Sequence, residues 1–179
     1  MKKVFLIIGG IGLVLVLLLG LLQSCSSMFG GGVSNIVASS YLSEDSDLLA
    51  AEAAYCAMED ELREYLDTYE QTHDYDEYHY DLDEIEHDPY VLISILCVLH
   101  EGEWTADEVQ GTLETLFDRQ YILTERVVRE TRYDSDGDPY SWYICYVTLE
   151  NKNLSHLPLE MMGEEQMARY SLYMSTLGN

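Results

Sequence analysis

Apolar and polar positions alternate with several distinct periods along this chain. The first stretch has no period at all. Val4 to Leu22, VFLIIGGIGLVLVLLLGLL, is nineteen residues without a charge, amide or hydroxyl. At the rise of an α-helix it reaches roughly 28 Å, close to the hydrocarbon thickness of a bilayer. The pattern predicts a transmembrane helix over 4–22 with a short cytoplasmic end at 1–3. A cleaved signal peptide is one alternative. A lipoprotein signal is another, in which Leu22-Gln23-Ser24-Cys25 presents Cys25 for lipidation. Residues 23–46 are rich in Ser and Gly and read as a flexible tether. Its Gly30-Gly31-Gly32 run lacks the preceding strand and following Lys of a phosphate loop.

Residues 47–71 change to a helical period. Leu48, Ala51, Tyr55, Met58, Leu62, Tyr65 and Tyr69 recur at spacings of three and four, with Glu59, Asp60, Arg63 and Glu64 assigned to the opposite face. This stripe predicts a helix packed on its own domain or, alternatively, a coiled-coil seam for a homo-oligomer. Residues 72–88 are acidic and tyrosine-rich and read as a solvated connector. In 89–179, Asp88 and Pro89 cap a helix that is apolar nearly all round from Tyr90 to His100, the expected core. Thr105 to Glu108 forms a capping box for a second helix closing near Gln120. Tyr121–Tyr133 and Tyr140–Leu149 predict a hairpin turned at Asp136-Gly137. Gly163 to Leu177 predicts a last helix. The expected fold is mainly α with one β-hairpin, an α+β body with a winged-helix-like order of elements behind a single membrane helix.

Charge then fixes orientation and excludes partners. The formal net charge is -24, from 33 acidic residues against nine Lys and Arg. Lys2 and Lys3 precede the apolar span, and no acid occurs before Glu44. Flanking lysines stay in the cytoplasm, so the body is expected outside the cell. The acidic body argues against nucleic acid, which needs clustered Lys and Arg. The second helix of the winged-helix order carries Asp107, Glu108, Glu114 and Asp118 against Arg119, so it cannot face phosphates. Arg126, Arg129 and Arg132 on the hairpin are expected to pair with neighbouring acids or an acidic partner.

Candidate chemistry is sparse. Cys56, Cys97 and Cys145 sit in apolar surroundings and read as small hydrophobes, or as disulfide partners if oxidised outside the cell. Cys97 and His100 lie three apart on one helix, but burial would leave that thiol inert. His73, His79 and His87 do not match a zinc spacing, and the acids of 72–88 do not match an EF-hand. Asp134 to Asp138 has its Gly too early for a calcium loop and reads as a turn. Fifteen tyrosines and two tryptophans could stack on sugars or on a partner, or fill the core. The residues therefore assign no catalytic group, no metal and no cofactor.

Four strings carry a resemblance: Ser39-Ser40-Tyr41-Leu42-Ser43-Glu44-Asp45, Ile85-Glu86-His87-Asp88-Pro89-Tyr90-Val91-Leu92-Ile93, Asp107-Glu108-Val109-Gln110-Gly111-Thr112-Leu113 and Met162-Gly163-Glu164-Glu165-Gln166. Through them the chain closely resembles the membrane-anchored cell-wall hydrolases of integrative and conjugative elements of Gram-positive bacteria. The resemblance implies a single-pass anchor and an α-rich spacer, followed in such proteins by a papain-like peptidase domain and sometimes a lysozyme-like one. The catalytic Cys and His of those peptidases would lie beyond Asn179, so none is carried over. The implied role is a non-catalytic module that positions a peptidoglycan hydrolase, with conjugation-channel proteins or the wall as partners.

Overall fold

Helix α1 (Asp45–Asp67) lays its apolar stripe into the centre of the molecule. The structure, a computed structural model, describes residues 42–177. The apolar span at 4–22, Cys25 and nearly all of the tether lie outside those residues. Among the described residues no helix is long and apolar enough to cross a membrane.

After α1 come a short helix α2 (Tyr69–Thr72), strand β1 (Glu77–Leu82), helices α3 (Pro89–Leu99) and α4 (Ala106–Gln120), and strands β2 (Tyr121–Tyr133) and β3 (Pro139–Asn151). A 3-10 turn at Leu154–His156 leads into α5 (Leu157–Met161) and α6 (Glu164–Leu177). The described chain is thus α+β, with helices beside a three-stranded sheet of order β1-β3-β2.

Local chemistry explains most boundaries. The Asp88 carboxylate accepts from the Tyr90 and Val91 amides at 2.8 and 3.4 Å, and Pro89 occupies the first turn of α3. Thr105 and Glu108 close a capping box at the start of α4. At the hairpin, the Asp134 carboxylate accepts from the amides of Asp136 and Asp138, both at 2.9 Å. Gly137 there has φ +88°, a left-handed conformation in which a Cβ is strained. Asp134 is therefore a turn former, as its spacing suggests.

The core forms where α3 meets its neighbours. Leu92, Ile95 and Leu96 are fully buried against Leu48, Ala51 and Tyr55 of α1 and Val109, Leu113 and Leu116 of α4. Helix α6 packs on α3 through Tyr170, with Met167 and Met174 half-buried. The α1 stripe thus packs on its own domain. Tyr69 enters a second cluster beneath the sheet with Cys145 and Val147, while Tyr65 stays partly exposed.

Two expectations need correction. The spacing predicts a solvated connector over 72–88, yet Glu77–Leu82 forms a strand pairing in parallel with β3, from Glu77 against Ile144 to Leu82 against Leu149. The sheet therefore holds more than the expected hairpin. Glu59 is assigned by periodicity to the outer face of α1, but it is 1% exposed. Substituting Asp88→Ala should cost about 1 kcal/mol by urea unfolding, through loss of the α3 cap.

Candidate functional site

The most unusual chemistry in the described residues is a buried titratable cluster between α1 and the loop entering α3. Glu52, Cys56 and Glu59 project from α1 at helical spacing, so they share a face. His87 comes from the loop just before the Asp88 cap, and its side chain is 3% exposed. His87 Nδ1 meets Glu59 Oε1 at 2.9 Å and Nε2 meets Glu52 Oε2 at 3.2 Å. Both ring nitrogens face carboxylates, so both donate when the ring is an imidazolium. The connector reading at 72–88 treats His87 as solvated, and that is corrected here: the loop folds back over α1 and buries it.

The surrounding groups complete the cage. The Tyr121 hydroxyl donates to Glu59. Arg63 pairs with Glu59 at 3.4 Å and with Asp60 at 2.6 Å, and donates to the Ile85 carbonyl. Tyr55 stacks edge-on to His87 with ring centroids 4.7 Å apart, and its hydroxyl donates to Gln120 Oε1 at 2.9 Å. Gln120, fully buried at the α4–β2 junction, donates in turn to the Glu86 carbonyl at 3.0 Å and to Asn151 at 3.1 Å. One network thereby ties α1, the loop, α4, β2 and β3 together.

Electrostatics follow from this packing. Burial opposes the charge on His87, but hydrogen bonds to Glu52 and Glu59 and their negative charges outweigh it, lifting the ring to about 9. Burial works to raise Glu59 as well. The His87 contact, the Tyr121 hydroxyl and Arg63 overcome it and hold the carboxyl below its ordinary value. Burial, then the neighbouring carboxylates, pushes the Tyr55 and Tyr121 phenols upward, so both stay neutral donors.

The same cluster contains three metal-type donors. A Glu52 oxygen, Cys56 Sγ and a His87 nitrogen all lie within 4.8 Å of one another. No disulfide joins Cys56, Cys97 and Cys145. Burial pushes the Cys97 thiol up to about 11, and His100 turns to Thr112 Oγ1 at 2.8 Å. That pair is thus not arranged as a nucleophile and its base. His73 stacks on Tyr69 and His79 on Tyr146, so the three histidines are not brought together.

A second distinctive surface is the outer face of the sheet. The Arg126 guanidinium lies 4.3 Å from the Tyr146 ring, which stacks on His79 at 4.9 Å, a row crossing all three strands. Arg132 lies 4.2 Å over Trp142 and pairs with Glu77 at 3.1 Å, and the Trp142 indole donates to the same Glu77. Arg132 thus pairs with neighbouring acids, as its setting suggests. On α4, Asp107, Glu108, Glu114 and Asp118 are all exposed, an acidic face that repels phosphate.

Comparison of the chain with protein-family models, curated proteins and solved structures finds no match.

Sequence reasoning missed Glu52, Glu59 and His87 as one unit. The available signal was Ile85 and His87 alternating with Glu84 and Glu86, an inward–outward pattern beside a helix cap. Stability should report the cluster directly. The His87 pKa is higher folded than unfolded, so its contribution is complete below about 6.5 and fades as pH rises through about 9. That difference corresponds to roughly 3 kcal/mol at most. Urea unfolding of chelator-treated protein should weaken over this window, and His87→Gln should flatten the dependence. Glu59 acts oppositely, its stabilisation fading on acidification below its ordinary value.

Proposed function

We propose that this chain is a membrane-tethered, extracytoplasmic and non-catalytic module that positions a peptidoglycan hydrolase in a conjugative-transfer apparatus. The tether is the apolar span at 4–22, with the two lysines before it and every acid after it. The hydrolase and the apparatus come from the four resembling strings. The observation that carries the non-catalytic part is the His87 cluster. Its histidine, carboxylates, phenols and amide are engaged with one another and with backbone carbonyls, so they brace the domain.

Within this reading α3, α4 and the β2–β3 hairpin make a winged-helix-like order of elements used as a packing scaffold. The acidic α4 face disfavours a duplex partner. The Arg126–Tyr146–His79 row and the Arg132–Trp142 pair supply rigid, amphipathic contact area to a protein of the transfer channel.

An alternative is that the body itself cleaves peptidoglycan. Another is an oligomeric scaffold built on Leu48, Ala51, Tyr55, Met58, Leu62, Tyr65 and Tyr69. Burial of Leu48, Ala51 and Tyr55 within the chain disfavours the scaffold, because a seam would have to pull them from the core.

Purified protein should leave no clearing zone on a cell-wall zymogram, and a clearing zone would overturn the non-catalytic reading. Protease added to intact protoplasts should digest the body; full protection would overturn the outside placement. Trp142→Ala combined with Tyr146→Ala should reduce cross-linking to channel proteins at least tenfold while leaving the circular dichroism spectrum unchanged.

A further inference from the structure

The α1 face that braces His87 has a second property that bracing does not require. Glu52 and Cys56 are one helical turn apart, and each offers a donor atom close to a nitrogen of the His87 ring. Glu52 Oε2 lies 3.2 Å from His87 Nε2, and Glu52 Oε1 lies 3.6 Å from Cys56 Sγ. Ligand atoms around a tetrahedral zinc ion, with bonds of roughly 2.0–2.3 Å, are themselves roughly 3.3–3.7 Å apart. The three donors, all within 4.8 Å of one another, stand close to that spacing. A contraction of about 1 Å at the widest pair would complete it.

We propose that Glu52, Cys56 and His87 form a binding site for a zinc-like divalent cation, with Glu59 as the group that orients the histidine. Carboxylate, thiolate and imidazole together suit zinc better than calcium or magnesium, which take oxygen ligands. His87 would ligate through Nε2 and keep its Nδ1–H on Glu59. A metal-bound histidine that donates its other nitrogen to a carboxylate is the usual supporting arrangement. Glu59 is itself held by Tyr121 and Arg63, so its direction is fixed.

Charge balance is preserved. Without metal the imidazolium and Glu52 cancel. On binding, the Cys56 thiol and His87 Nε2 each release a proton to solvent. The divalent charge then meets one thiolate and one carboxylate, with a neutral imidazole. No electrons move. Glu52 and Cys56 are 8% and 7% exposed, so the cluster lies just under the surface, where an ion can enter.

The test uses the full chain, free of affinity tags, in mild detergent with a phosphine reductant. Cobalt(II) serves as the spectroscopic probe. One equivalent should give tetrahedral d–d bands and a thiolate-to-cobalt charge-transfer band, and one equivalent of zinc should bleach both. Cys56→Ser should abolish the charge-transfer band and weaken binding more than tenfold. Glu59→Gln should retain the band with affinity lowered roughly 10–100-fold, because the ligands remain and the orientation is lost. A second measurement needs no variant: zinc should slow alkylation of Cys56, followed by peptide mass spectrometry, at least tenfold while leaving Cys97 unaffected. Absence of the charge-transfer band in the unaltered protein, its survival in Cys56→Ser, or equal alkylation of Cys56 with and without zinc would overturn the site.

Discussion

An imidazolium held between two carboxylates in a nearly dry pocket is the constraint on which this structure depends. A chain with so large an excess of acids meets self-repulsion whenever it compacts. Glu52 and Glu59 lie on the helix face that also carries the core residues Leu48, Ala51 and Tyr55. Those apolar groups cannot be buried without burying the acids too. An unpaired buried carboxylate is expensive, and breaking such a pair typically costs 3–5 kcal/mol. His87 and Arg63 neutralise the pair, and Tyr121 fills a remaining acceptor site on Glu59. The loop must therefore close over α1 for the core to form. Its closure also places Asp88 and Pro89 where α3 begins.

From that closure the rest of the architecture follows. Once α3 is seated, α1, α4 and α6 have one shared apolar surface to cover. Gln120 relays the loop's carbonyl positions to the start of β2 and the end of β3. The sheet then faces inward through Cys145, Val147 and Leu149, and outward through Tyr146 and Trp142, whose rings lie under arginines. The outward rings carry neither the charge excess of the helices nor the full burial of the core.

Where residues announce structure through near neighbours, the sequence was legible. The Asp88-Pro89 cap, the Thr105–Glu108 box, the Asp136-Gly137 turn and the stripe of α6 all act within a few residues, and these four features are present. Strand β1 was not legible because its residues, Glu77-Tyr78-His79-Tyr80-Asp81-Leu82, are half charged or polar. What makes them a strand is a parallel partner far along the chain. The buried cluster was hidden for a related reason. Helical periodicity puts Glu59 one step from the stripe, and only a histidine from another segment turns that step inward. No local rule connects His87 to Glu52 and Glu59.

The parallel pairing of β1 with β3 also sets an order in time. A ribosome releases β1 well before β3 exists, and α3, α4 and β2 must emerge in between. During that interval the edge of β1 has no backbone partner, and its acidic side chains hinder another copy from supplying one. Pairing β1 with β3 closes a loop over distant residues, the kind of contact that forms more slowly than a helix, and Glu77 and Asp81 disfavour pairing of an open β1 edge with another copy.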